Sequence, residues 1–116
     1  MMHEEMLEKT IRINMLLDFY HVLLTEKQQV FMRHYYDDNY SLGEIAGEFD
    51  ISRQAVYEHI KRAEHMLEEY ETKLQLLRKH EERRALLQEL CEAVSDQPEQ
   101  LQERLNELIT RLERIE

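Results

Sequence analysis

SLGEIAGEFDISRQAVYEHIKRAEHML, residues 41–67, has the grammar of a helix-turn-helix. Ser41 and Glu44 have the spacing of a capping box, so a helix is expected to start there. Tyr40 and Ile45 can close a hydrophobic staple over that start, and Ile45, Ala46 and Phe49 follow as one apolar stripe. The small Ala46 leaves room for a second helix to cross close by. Asp50 stands where the chain must turn sharply, and aspartate is one of the few non-glycine residues that tolerates left-handed geometry. Ser52 then suits an N-cap, with Ile51 and Val56 as the second staple.

On that second helix Val56, Ile60, Ala63 and Leu67 fall on one inward face. Ser52, Arg53, Gln54, Tyr57 and Lys61 are left facing outward. This is how a recognition helix is offered to a DNA major groove. Arginine can fork to guanine and glutamine to adenine, while lysine and serine suit phosphates. The competing reading is plainer: a helix-turn-helix is also a packing solution, and its outer face can be merely solvated.

Only two glycines and one proline occur in 116 residues, and no alternating Val/Ile/Thr run suggests a strand, so an all-α chain is expected. A core built from the first seventy residues alone would be marginal, and dimerisation would reinforce it. The net charge of −10 opposes binding to a phosphate backbone. It is unevenly spread: residues 1–51 carry −6, residues 52–84 carry +1 and residues 85–116 carry −5. The recognition helix and its extension are therefore the only part that is not acidic. A single cysteine, Cys91, excludes an internal disulfide and points to a reducing, cytoplasmic setting. The acidic start MMHEEMLEK does not read as a secretory signal, and no apolar run is long enough to insert into a membrane.

In chain order, residues 3–24 read as an amphipathic helix with Met6, Ile13, Leu16, Leu17, Tyr20 and Leu23 inward. Thr25 and Gln28 form another capping box. A second helix follows, with Val30, Phe31, His34 and Tyr35 inward, and Asp37, Asp38 and Asn39 break it. Tyr35, Tyr36 and Tyr40 suggest an aromatic cluster beside the turn. From Ser52 to Val94 there is neither glycine nor proline. Leu67, Tyr70, Leu74 and Leu77 continue an apolar seam that Leu86, Leu87, Leu90 and Val94 resume. Either one long helix runs on or a break falls in RKHEERR, residues 78–84, and a kink or short loop there is the expectation. Interleaved Glu81 and Glu82 make that run a solvated face rather than a phosphate patch. Ser95–Pro98 mark a boundary, and Leu101, Leu105, Leu108, Leu112 and Ile115 form a short heptad seam that must pair with another helix. The partner is either residues 85–94 or the same helix of a second chain, with a dimer contact through residues 70–116 preferred. The expected organisation is a helix-turn-helix domain over 1–70 and a helical extension over 71–116.

Residues 24–74 resemble region 4 of bacterial sigma factors. More closely, the chain resembles the YlxM family of small bacterial helix-turn-helix proteins over about residues 5–90. The likeness is carried by INMLLDFYHVLLTEKQ, YYDDNYSLGEIA and ISRQAVYEHIKRAE. The resemblance implies a helix-turn-helix of winged-helix-like or sigma region 4-like kind. It also implies a regulatory role linked to the signal recognition particle pathway. Carried over residue by residue, the sigma-like reading positions are Ser52, Arg53, Gln54, Tyr57 and Lys61, with Arg62 toward a phosphate. Glu58 shares that face and can accept from cytosine, though it repels the backbone.

Catalysis is not expected. His59 and His65 are six apart, which does not place two ligands on one helical face as four would. Cys91 lies on an apolar stripe and reads as buried rather than nucleophilic. No cofactor, metal or small-molecule substrate is implied. Two partners remain open: DNA, read by a homodimer on half-sites about 34 Å apart, or the RNA or protein components of the signal recognition particle, bound by the same helix face.

Overall fold

A computed structural model describes residues 2–115; Met1 and Glu116, the outer ends of the two expected domains, lie outside the described residues. Six α-helices follow in order: α1 Met2–Tyr20, α2 Glu26–Met32, α3 Leu42–Phe49, α4 Arg53–Leu74, α5 Leu76–Val94 and α6 Glu99–Arg114. No strand occurs among the described residues, so the fold is all-α and has no β-hairpin wing. The winged-helix likeness does not hold. The chain forms two compact units, Met1–Gln75 and Leu76–Glu116. The residue-70 boundary expected from sequence lies inside α4.

In the first unit, Ile13, Leu16 and Tyr20 of α1 are buried, whereas Met6 is 67 % exposed and Leu23 46 %. A 3-10 turn over His21–Leu23 explains the latter: its tighter winding rotates the register, so Leu24 is buried in place of Leu23. The Thr25–Gln28 capping box forms as expected and starts α2. Phe31 and Met32 of α2 are fully buried, and Gln28 joins them. Val30, His34 and Tyr35 are only half-buried. The helix then widens into one π turn, Arg33–Asp37, and Asn39 ends it at φ 58°. The expected tyrosine cluster divides into two. Tyr35 packs edge-on to Tyr36 at 5.0 Å, while Tyr40 stacks on His34 at 5.0 Å.

Three side-chain pairs tie α1 to α4: Lys9 with Glu64, Arg12 with Glu68, and Tyr20 with Glu71. Both members of each pair advance together along the chain, so the two helices cross in the same sense. Val56, Ile60, Ala63 and Leu67 of α4 are all buried, as their spacing predicts.

The expected break in residues 78–84 is absent. Arg, Lys and Glu are good helix formers, and Arg78 pairs with Glu82 one turn on at 3.1 Å. The chain breaks earlier, at Gln75, which takes φ 56° and donates its N–H to the Glu71 carbonyl at 2.9 Å. A polar residue serves as the left-handed cap where glycine is usual, which is why composition did not mark it.

In the second unit α5 and α6 pack against each other across the turn 95–98. Gln102 Nε2 donates to the Ser95 carbonyl at 2.8 Å and the Gln97 carbonyl at 2.6 Å, holding that turn. Val94 and Ile109 are buried, and Leu87 and Leu105 half-buried. The heptad seam expected to do the packing is displaced. Leu101, Leu108 and Leu112 are 37–47 % exposed and Ile115 80 %, because α6 turns only Leu105 of that seam inward, beside Gln102 and Ile109. Leu86 and Leu90 of α5 are exposed as well, and so is Cys91, contrary to the expectation of burial. Of the apolar seam in α5, Leu77 and Val94 are buried and Leu87 half-buried.

Candidate nucleic-acid interface

The turn between α3 and α4 is built from local chemistry. Ser41 Oγ accepts the Glu44 N–H at 3.0 Å, and Glu44 Oε1 accepts the Ser41 N–H, completing the capping box. At the other end Asp50 adopts φ 54°, ψ 46°, and the Ile51 N–H returns to the Ala46 carbonyl at 3.1 Å. This six-to-one closure is a Schellman motif with aspartate at its left-handed position. Two residues later Ser52 Oγ accepts the Ala55 N–H at 3.0 Å and launches α4. Phe31 meets Phe49 edge-on at 4.9 Å and His59 at 5.2 Å, fixing both helices on α2. Partial burial, then the nearby Lys27 and Arg62 charges, hold the His59 imidazole below its ordinary 6.5, which favours the neutral ring.

The five residues expected from sequence to face outward, Ser52, Arg53, Gln54, Tyr57 and Lys61, are exposed, and so is Arg62, which the sigma-like resemblance adds. Their surroundings differ. Among the described residues Arg53 and Arg62 have no ion-pair partner. Ser52 uses an oxygen lone pair as the cap and keeps its O–H to donate. Gln54 Nε2 donates to Glu58 Oε1 at 3.4 Å, so that carboxylate holds the amide while adding negative charge to the face. Lys61 lies 5.5 Å from the Tyr57 ring centroid and 3.4 Å from Glu64 Oε2.

Glu64 is the element that sequence reading missed. It is only 8 % exposed. Its carboxylate accepts from Tyr36 Oη and meets Lys9 Nζ at 3.3 Å as well as Lys61. Burial, then the adjoining Glu64 carboxylate, push the Tyr36 phenol far above its usual range, so it stays a donor. Lys9 thus brings a second ammonium from α1 to the edge of the α4 face. No spacing in the sequence could announce this, because residues 9 and 61 meet only through the α1–α4 crossing.

Beside the outward residues Leu42 of α3 joins Arg53, Gln54 and Tyr57 in lining an open cleft of about 500 Å³. Among the described residues no group of three or more His, Cys, Asp or Glu side chains is placed to hold a metal ion. Among them, too, no helix is long and apolar enough to cross a membrane.

Residues 7–108 match the family described as "Putative helix-turn-helix protein, YlxM / p13 like". A UPF0122 protein of Shouchella clausii is 58 % identical over 111 residues, covering 96 % of this chain and all of that protein. One from Halalkalibacterium halodurans is 64 % identical over 92 residues, covering 79 % of this chain and 84 % of its own length. One from Bacillus thuringiensis is 52 % identical over 111 residues, again its full length. With a helix-turn-helix at its centre and full-length relatives at this identity, the chain belongs to the UPF0122 family of YlxM/p13-like helix-turn-helix proteins.

Proposed function

We propose that this protein is a regulatory helix-turn-helix protein of the cytoplasm that acts as a homodimer and reads duplex DNA through α4. One observation carries the reading. Ser52, Arg53, Gln54, Tyr57, Lys61 and Arg62 are all exposed on α4, while Val56, Ile60, Ala63 and Leu67 on its other side are buried. Such a helix can enter a groove without unfolding anything. Arg53 and Gln54, in its first turn, are the base-reading pair, and Lys61, Arg62 and Ser52 contact phosphates. The dimer is supported by the second unit, where Leu101, Leu108, Leu112 and Ile115 of α6 form an exposed heptad stripe. The cytoplasmic assignment rests on the lone Cys91, an exposed free thiol.

A second reading is an adaptor of the signal recognition particle, binding the particle's RNA or protein through the same face. It is favoured by the charge: −10 overall, with Glu58 and Glu64 beside the cations, weakens the non-specific attraction on which DNA binders rely. The link to that particle rests on family resemblance.

A salt titration of the intact protein against genomic DNA fragments and the particle's RNA, side by side, separates the readings. For the first, Arg53→Ala with Gln54→Ala relaxes base choice on DNA by roughly 1–3 kcal/mol per lost bidentate contact. If the double variant binds all duplexes like the parent and the parent prefers the RNA, the DNA reading is wrong.

A further inference from the structure

The cleft beside α4 adds an aliphatic wall to residues already assigned to the nucleic-acid face. Its walls are Leu42 from the first turn of α3 and Arg53, Gln54 and Tyr57 from α4. Tyr57 is 43 % exposed and its ring stays out of the core. Side chains on a helix lean toward its N-terminus, so Tyr57 lies over the turn that carries Arg53, and Lys61 leans back over Tyr57. The structure agrees: Lys61 Nζ sits 5.5 Å from the Tyr57 centroid and is tethered to Glu64 at 3.4 Å. One side of the ring is thereby occupied by an ammonium on the C-terminal side. Tyr57 also lines the cleft, together with the aliphatic Leu42.

We propose that this cleft takes a single unpaired nucleobase, stacked on Tyr57 against Leu42, with Arg53 and Gln54 at its hydrogen-bonding edge. A volume of about 500 Å³ is within the range of small-ligand sites and admits a base with its sugar. The chemistry matches what a splayed base offers: a π face for the tyrosine ring, and ring nitrogens and carbonyls for the Arg53 donors. Gln54 contributes its side-chain carbonyl and its second amide N–H, the first being directed to Glu58. Lys61, fixed over the far side of the ring, stands where the flanking phosphate would pass. Stacking does not depend on counter-ion release, so it supplies affinity that a chain of net charge −10 cannot draw from the backbone. The inference rests on the nucleic-acid reading of α4 and sharpens it to a nucleic acid carrying a bulged or looped-out base.

The test uses the full-length protein and four labelled hairpins: fully paired, or with one bulged 2-aminopurine, each as DNA and as RNA. The bulged form is expected to bind about five- to a hundredfold more tightly than its paired counterpart. Its fluorescence is expected to fall on binding as the base stacks. Tyr57→Ala removes that preference and the quenching, while Tyr57→Phe keeps both. Because Tyr57 is exposed, the fold survives either change, which circular dichroism checks. A bulge preference in either backbone supports the proposal, and the backbone with the larger preference names the source. Equal binding of bulged and paired hairpins, or equal weakening of both by Tyr57→Ala, overturns it and leaves the duplex reading standing. Failure of every hairpin to bind at low salt overturns the nucleic-acid function itself and this inference with it.

Discussion

Asp50 shows how a single backbone angle sets the relation of two helices. At φ 54° it occupies a region that costs most L-residues roughly 1–2 kcal/mol. Asp50→Gly is therefore expected to be neutral or slightly stabilising, and Asp50→Val to cost at least about 1 kcal/mol in urea unfolding, since a β-branched side chain resists this geometry most. Glu68 is a second residue with a measurable signature. Arg12 grips both its oxygens, at 2.7 and 2.8 Å, and this hydrogen bonding, then the Arg12 charge, holds its carboxyl below the ordinary 4.5. A depressed acid contributes stability that is full above its unfolded value and is lost as pH falls through the folded one. The Arg12–Glu68 coupling in a double-mutant cycle is thus expected to stay below about 1 kcal/mol at pH 7, because both groups are half-exposed, and to vanish at pH well under 4.5. His59 acts at higher pH. Its lowered value means the unfolded chain takes up the proton first, so stability is full above 6.5 and declines below it. A His59→Phe variant is expected to flatten that part of the pH profile.

Among the elements, α4 serves two purposes with opposite sides. Its inner side is closed to enlargement: Ala63 is completely buried against the neighbouring helices. Ala63→Leu is expected to destabilise the first unit by about 1–3 kcal/mol through overpacking. Ser52 caps its start, and Ser52→Ala is expected to cost about 1 kcal/mol while also weakening any phosphate contact there. A stability assay and a binding assay together separate those two effects. The α6 helix presents the contrasting case, an amphipathic element whose most regular stripe is unused within its own chain. Leu108→Glu combined with Leu112→Glu is expected to convert a dimer to a monomer in sedimentation experiments without loss of helicity, because both positions are already exposed. An unchanged mass would show that the stripe does not join two copies.

For the molecule as a whole, charge limits how nucleic acid can be held. The cations at the edge of the α4 face are Arg53, Lys61, Arg62 and Lys9, and two of these share Glu64. Neutralising at most four phosphates gives a slope of log K against log salt no steeper than about −3.6 on duplex DNA. A markedly steeper slope would mean that a larger basic surface takes part. Lys9→Ala is expected to reduce the slope by about one unit or less, since Glu64 already compensates part of that charge.

The sequence by itself determined the local grammar. The caps at Thr25, Ser41 and Ser52, the left-handed turn at Asp50 and the buried face of α4 all follow from interactions within a few residues, which spacing records. The exposure of Ser52, Arg53, Gln54, Tyr57, Lys61 and Arg62 was legible for the same reason, as the complement of that face. Only the tertiary structure decided which side chains from distant segments meet. The pairing of Lys9 and Lys61 through a buried Glu64, the cleft that Leu42 closes beside Tyr57, and the rotation of α6 that buries Ile109 and leaves Leu108 outside are all fixed by helix crossings. The cap at Gln75 left no trace in the sequence either, because a left-handed glutamine has no signature of its own.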